Sequence, residues 1–90
     1  MKILVIEDDQ EIRNLIKYFL QKENFVVFET ENGMEGLKIA REQKPDLIIL
    51  DLMIPGLDGV NVCSMIRGMP DKYSDPLIIM TTAKTEIDDV

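Results

Sequence analysis

Three aspartates are the residues of this 90-residue chain that are best suited to chemistry. Asp8 and Asp9 follow the apolar residues 3–6, and Asp51 follows the apolar residues 47–50. If these segments are neighbouring strands, their ends lie about 5 Å apart, and carboxylates that close repel each other by about 3 kcal/mol per pair at an effective dielectric of about 20. Mg²⁺ would remove this repulsion because it prefers oxygen ligands, and a carboxylate beside it can attack phosphorus to form an aspartyl phosphate. The pattern therefore predicts a magnesium site with a candidate phosphoacceptor.

Four short apolar segments have the length and the β-branched content of buried strands. They comprise residues 3–6, 25–28, 47–50 and 77–80. Between them the apolar residues recur at helical spacing. Strands that alternate with helices indicate an α/β fold with a parallel sheet, because parallel neighbours need crossover connections. Sites in such sheets form beyond the carboxyl ends of the strands, which is where the three aspartates are expected.

The composition excludes several classes of protein. The chain carries 17 acidic and 10 basic residues, a net charge of -7, which disfavours binding to nucleic acid or to an anionic membrane through bulk charge. It has no histidine, the usual general base, and its single cysteine, Cys63, cannot form an internal disulfide. No apolar run is long enough to span a bilayer, and the acidic start at Glu7 is unlike a signal peptide. These features predict one small cytoplasmic domain without membrane or direct nucleic-acid contact.

Three sequence motifs resemble the receiver domain of two-component response regulators. They are KILVIEDD at residues 2–9, DLMIPGLDG at residues 51–59, and Thr82 with Ala83. The order and spacing of these motifs extend the resemblance over the whole chain, from Met1 to Val90. The resemblance implies a flavodoxin-like, doubly wound parallel sheet with the strand order 2-1-3-4.

The resemblance also implies roles for individual residues. Asp51 would be the phosphoacceptor, which receives the phosphoryl group from a phosphohistidine of a partner histidine kinase or phosphotransfer protein. Asp9 would bind Mg²⁺ directly, Asp8 would bind it mainly through water, and the backbone carbonyl of Met53 would be a further ligand. Thr82 would be the switch hydroxyl that moves to hydrogen-bond the phosphoryl group.

Each of these residues also has a simpler structural interpretation. Asp51 can act as a cap or a solvated turn at the end of a strand. Asp8 and Asp9 can form a solvated helix start that complements the helix dipole, and Asp9 is well placed as an N-cap. Thr82 is of a type that is common at strand ends. Cys63 has helical spacing with apolar residues, which favours packing in the core.

The chain departs from the family pattern at its carboxyl-terminal side. Receiver domains have five strands and carry a lysine after strand five, whereas only Lys84 follows Thr82 here, and it comes directly after strand four. Residues 1–90 are therefore expected to be an incomplete receiver domain that lacks strand five and the last helices. Strand four would then be an edge with exposed apolar surface, belonging either to a longer polypeptide or to a fragment that must associate.

The function expected from these observations is a phosphorylation-dependent signalling switch and not an enzyme. Phosphorylation of Asp51 would alter the surface of strand four and helix four, which would control an output domain, a downstream protein or a homodimer in the regulation of transcription. One alternative is a degenerate receiver that serves as a protein-interaction scaffold. Another is a phosphohydrolase with Asp51 as its nucleophile, although Met53 occupies the position where such enzymes carry an acid.

Overall fold

A computed structural model describes residues 1–51, 59–68 and 77–81 of the chain. The described residues form four strands and three helices that alternate along the chain. Their bounds are β1 Lys2–Ile6, α1 Gln10–Lys22, β2 Val26–Thr30, α2 Gly33–Gln43, β3 Leu47–Asp51, α3 Gly59–Arg67 and β4 Leu77–Thr81. Among the described helices, none has the length and apolar character needed to cross a membrane.

The four strands form one parallel sheet in the order β2-β1-β3-β4, which confirms the predicted fold class. All four strands begin within a residue of the predicted positions. The second extends to Thr30, two residues further than the apolar pattern indicates, and Thr30 is buried. β2 lies at an edge of the sheet, and its contacts with β1 and α1 bury Thr30 although the side chain of this residue is polar.

Local sequence explains where the first two helices begin and end. Asp9 and Asn32 are the N-caps of α1 and α2, and each side chain accepts hydrogen bonds from two backbone N–H groups of the first turn. At the other end of α2, Lys44 adopts a left-handed conformation with φ 47°, and its N–H donates to the carbonyl of Ala40. Pro45 then prevents continuation of the helix.

The main hydrophobic core lies between one face of the sheet and the helices α2 and α3. Its buried members are Leu4, Ile6, Leu37, Ala40, Ile48, Leu50, Val62 and Ile66. Full burial of one such aliphatic side chain contributes about 1.5–3 kcal/mol. This core makes β1 and β3 rigid central strands, so side chains at their carboxyl ends have defined positions.

The opposite face of the sheet is less completely covered. Ile3 and Val5 of β1 are buried there, but none of the residues of α1, all of which are described, is buried. The register aligns Leu47 with Leu77 and Ile49 with Ile79, which places both β4 side chains on this face. Leu77 is 64% exposed and Ile79 is 46% exposed, in accordance with the apolar exposure expected for strand four.

Candidate metal centre

Two buried carboxylates meet where β1 and β3 end. Asp51 is the last residue of β3 and is 1% exposed, and Glu7 directly follows β1 and is 3% exposed. The register pairs Ile6 with Leu50, so the residues that follow them along the two strands lie side by side. The location of Asp51 at this edge of the sheet is as the sequence predicts, whereas the carboxylate beside it is Glu7.

The side chain of Asp8 completes a group of three acids. Glu7, Asp8 and Asp51 each present a carboxylate oxygen, and these oxygens all lie within 4.8 Å of one another. Glu7 and Asp51 are buried, while Asp8 is partly exposed. The group therefore has a closed side toward the sheet and an open side toward solvent.

The peptide unit and side chain of Glu7 are held by hydrogen bonds on three sides. Its N–H donates to the carbonyl of Thr30 at 3.0 Å, which extends the β1–β2 pairing by one residue. Its carbonyl accepts a hydrogen bond from Nη1 of Arg13 at 2.9 Å. Its Oε2 accepts one from the N–H of Asp9 at 3.1 Å. The direction of the Glu7 carboxylate is therefore set by the surrounding backbone.

Crowding of the carboxylates changes the proton affinity of Glu7. Burial raises the pKa of Glu7 to about 7, and the hydrogen bond and negative charge of Asp51 and the charge of Asp8 act in the same direction. The hydrogen bond from the Asp9 N–H lowers the pKa but only partly offsets these effects. A divalent cation bound there would offset the mutual repulsion of these carboxylates.

The structure does not bring Asp9 to this group. Oδ1 of Asp9 accepts hydrogen bonds from the N–H groups of Glu11 and Ile12 at 2.9 and 3.1 Å, so its carboxylate caps α1. The chain turns from strand to helix at this residue, with φ -79° and ψ 115°, which directs the side chain toward the helix axis. Among the described residues, Glu7 and Asp8 are the acids grouped with Asp51, and the role of Asp9 as a metal ligand stays a prediction.

Other residues singled out by the sequence lie beyond what the structure describes. Met53, Thr82 and Lys84 lie outside the described residues, and the side chain of Cys63 is not described. The nearest described residue to Thr82 is Thr81, which pairs with Asp51 in the β3–β4 register. The roles of Met53 and Thr82 therefore stay predictions.

Glu7 and Arg13 are the two residues of this region that the sequence pattern does not single out. Glu7 directly follows Ile6, and Asp51 directly follows Leu50, which is the register partner of Ile6. Alignment of the ends of the two strands would therefore have indicated Glu7 as the neighbour of Asp51. Arg13 carries no comparable signal, since its contact with the Glu7 carbonyl depends on how α1 packs against β1 and β2.

The donor set of the three carboxylates fits Mg²⁺. Their oxygens are hard ligands, and neither histidine nor thiolate belongs to the described group. Mg²⁺ commonly keeps several waters and is bound by one or two carboxylates together with phosphate oxygens, which suits a site that is open on one side.

Comparison with known proteins identifies the family. The family model described as "Response regulator receiver domain" matches residues 3–90. The chain is 48% identical over 85 residues to the transcriptional regulatory protein ResD of Bacillus subtilis, covering 94% of this chain and 34% of that protein. It is 38% identical over 89 residues to the regulatory protein VanR of Enterococcus faecium, covering 99% of this chain and 37% of that protein. The chain thus spans about a third of the length of these curated relatives.

Solved structures agree with the sequence comparison. The BeF3-activated N-terminal receiver domain of RstA from Klebsiella pneumoniae has a TM-score of 0.84 at 33% identity, over 98% of this chain and 71% of that one. The receiver domain of the sensor histidine kinase PA1611 from Pseudomonas aeruginosa, with a magnesium ion coordinated in its active-site cleft, has a TM-score of 0.84 at 28% identity, over 92% of this chain and 67% of that one. On its sequence, its sheet topology and its acidic strand ends, this chain belongs to the receiver domain family of two-component response regulators.

Proposed function

We propose that this receiver domain is a phosphorylation-dependent switch in which Asp51 accepts a phosphoryl group. The observation that carries the proposal is the position of Asp51, which is buried at the end of a central strand with carboxylate oxygens of Glu7 and Asp8 within 4.8 Å. A nucleophile held this way needs little reorganisation when a phosphoryl donor arrives at the open side.

We propose Glu7, Asp8 and Asp51 as the protein ligands of Mg²⁺. Bound there, Mg²⁺ would neutralise charge on the carboxylates and on the incoming phosphoryl oxygens. Asp8 is the more exposed of the three acids, which suits a ligand that acts through water. The backbone carbonyl of Met53 is retained as a further proposed ligand because Met53 lies two residues after Asp51 in the family motif.

The proposed transfer is a displacement at phosphorus. A carboxylate oxygen of Asp51 forms a bond to the phosphorus of a phosphohistidine, and the bond between phosphorus and the imidazole nitrogen breaks. The electron pair of that bond stays on the imidazole nitrogen of the partner. Thr82, which follows Thr81 directly, is proposed to hydrogen-bond the transferred group and so couple phosphorylation to the region after β4.

The relatives suggest what such a switch controls. ResD, PhoP of Bacillus subtilis and AfsQ1 of Streptomyces coelicolor are named as transcriptional regulatory proteins. We therefore propose that this domain acts in the cytoplasm with a histidine kinase or phosphotransfer partner, and that its output is the regulation of transcription through an attached domain, a downstream protein or a homodimer formed near β4. No turnover is proposed beyond autophosphorylation from small donors and autodephosphorylation.

The test is phosphorylation by a small donor, followed by intact mass. The protein is incubated with Mg²⁺ and acetyl phosphate or phosphoramidate, and a single phosphoryl adduct is expected. Asp51→Asn should abolish the adduct, while Asp46→Asn should retain it, because Asp46 lies before the other end of β3 and its asparagine can still accept the hydrogen bond from the Lys2 N–H. Rapid turnover of the donor would favour the phosphohydrolase, and no adduct would favour the scaffold.

A further inference from the structure

Arg13 connects the acidic group to the neighbouring edge of the sheet. Its Nη1 donates to the carbonyl of Glu7 at 2.9 Å, and its Nε donates to Oε1 of Glu29 at 3.2 Å. The Arg13 side chain is only 14% exposed, so it lies largely inside the protein although it belongs to a helix without a buried residue among its described positions. A side chain placed this way serves an internal contact.

The contact at Glu7 controls more than one residue. The Glu7 carbonyl belongs to the same planar peptide unit as the N–H of Asp8. The Glu7 N–H is already held by the Thr30 carbonyl, so the hydrogen bond from Arg13 fixes the next peptide plane along the chain. These two planes define the backbone direction from which the Glu7 side chain leaves, and the hydrogen bond from the Asp9 N–H to Oε2 of Glu7 holds the plane that follows Asp8.

Arg13 is itself held in place by Glu29 on β2. Oε1 of Glu29 accepts from Arg13, while its Oε2 accepts from Nζ of Lys17 at 2.6 Å. A guanidinium presents its N–H groups in a rigid plane, so fixing Nε also fixes where Nη1 points. A lysine at position 13 could not make the two contacts with the same planar geometry.

We infer that Arg13 is a positioning residue for the magnesium site: by holding the peptide between Glu7 and Asp8, it keeps these two carboxylates directed toward Asp51. The inference rests on the proposed function, because it assigns to Arg13 the control of the site that binds the metal. Arg13 does not contact the metal or the phosphoryl group in this scheme.

The sign of the effect distinguishes positioning from simple electrostatics. Arg13 carries a positive charge close to a cation site, and its charge alone repels Mg²⁺. If charge were its only influence, its removal would strengthen Mg²⁺ binding. If it positions the ligands, its removal weakens Mg²⁺ binding, and residues that orient metal ligands typically change affinity by about 10–100-fold.

The experiment is a calorimetric titration of Mg²⁺ into the wild type, Arg13→Met and Lys17→Met. Arg13→Met is expected to bind Mg²⁺ roughly 10-fold more weakly than the wild type, at the lower end of the range for such residues. Lys17→Met is the matched control, because it also removes a cation that contacts Glu29 but has no hydrogen bond to the Glu7 backbone among the described contacts. It should bind Mg²⁺ as tightly as the wild type or slightly more tightly.

A second variant and a second readout protect the test against loss of folding. Arg13→Lys retains the charge and the aliphatic stem, and it should fold yet bind Mg²⁺ more weakly than the wild type. Hydrogen exchange should show faster exchange at the Asp9 N–H, which donates to Oε2 of Glu7, in both Arg13 variants but not in Lys17→Met.

The outcomes separate this inference from the proposed function. Unchanged or tighter Mg²⁺ binding by folded Arg13→Met or Arg13→Lys would overturn the role of Arg13 and leave the proposed function standing. Failure of the wild type to bind Mg²⁺ at all would overturn both. Weaker binding by the Arg13 variants, with wild-type affinity in Lys17→Met, would support the inference.

Discussion

Two glutamates near the carboxyl ends of adjacent strands have opposite environments. Glu7, after β1, is buried beside Asp51, and its pKa is raised to about 7 chiefly by burial. Glu29, on β2, accepts hydrogen bonds from Lys17 and Arg13, and its pKa is lowered, first by the hydrogen bond from Lys17. Glu29 on β2 is therefore neutralised by protein cations, whereas Glu7 after β1 is crowded by other acids.

The difference shows how a metal centre is distinguished from a structural ion pair in this fold. The charges around Glu29 are balanced within the protein, so this region needs no ligand. The group around Glu7 brings three carboxylates together, and it opens to solvent on the side of Asp8. Arg13 lies between the two regions: its Nε pairs with Glu29, and its Nη1 donates to the backbone carbonyl of Glu7 and lies 4.0 Å from Oε1 of Glu31.

The largest expected effect concerns stability as a function of pH without Mg²⁺. Because the pKa of Glu7 is about 7 in the folded chain against an ordinary value of 4.5, its contribution to stability is fully present below about pH 4.5 and is lost as the pH rises through about 7. At 1.36 kcal/mol per pKa unit the loss is about 3 kcal/mol. Denaturant unfolding at a series of pH values should show this loss in the wild type and its absence in Glu7→Gln. Equal pH profiles for the two proteins would contradict the raised pKa.

The next largest effect concerns Mg²⁺ affinity. Glu7→Gln should weaken Mg²⁺ binding by roughly 30-fold, or about 2 kcal/mol, because the carboxamide brings no negative charge to the group. Glu29→Gln is the matched control and should stay within about twofold of the wild type, since its amide oxygen can still accept the hydrogen bond from Nε of Arg13. Calorimetric titration measures both affinities, and similar losses in the two variants would remove the distinction between the two glutamates.

A smaller effect concerns the third acid of the loop, Asp9. Asp9→Ala should lower the free energy of unfolding by about 1 kcal/mol, the usual cost of losing an N-cap, because the N–H groups of Glu11 and Ile12 lose their acceptor. Mg²⁺ affinity should change little in comparison with Glu7→Gln. A loss of Mg²⁺ affinity as large as that of Glu7→Gln would instead support Asp9 as a metal ligand.

The smallest effect is expected at Lys17. Its side chain is 36% exposed, so solvent screens its ion pair with Glu29, and Lys17→Met should cost about 0.5 kcal/mol of unfolding free energy. The loss should shrink in high salt and also as the pH falls, because Glu29 stabilises the fold only while it is ionised. A cost that is independent of salt and pH would point to packing of the lysine stem instead.

Much of the fold follows from local patterns that the sequence displays openly. The β-branched segment before Glu7 and the one that ends at Asp51 have the character of central strands, and α2 lies between Asn32 and Pro45, residue types that are typical of helix ends. The strand order required the resemblance of the motifs to receiver domains, because apolar periodicity does not state which strands are neighbours. The position of Asp51 at the carboxyl edge of the sheet followed from both.

The identity of the ligands beside Asp51 did not follow from local patterns. Three consecutive acids, Glu7, Asp8 and Asp9, are alike in charge, and nothing in their order says which one continues the strand and which one caps the helix. Hydrogen bonding decides the matter: the Glu7 N–H still pairs with Thr30, and the Asp9 side chain already accepts from α1. Asp8, a candidate metal ligand, and Asp9, a helix cap, are thus adjacent in the sequence.

The sequence by itself determined the alternation of strands and helices, the acids at the strand ends and the family of the chain, because these depend on residue type and spacing along the chain. Only the tertiary structure decided that Glu7 shares the site with Asp51, that its pKa is raised, and that Arg13 holds its backbone. The physical reason is that these properties arise between segments: strand register sets which carboxylates meet, burial sets their proton affinity, and helix packing sets which cation reaches the carbonyl of Glu7.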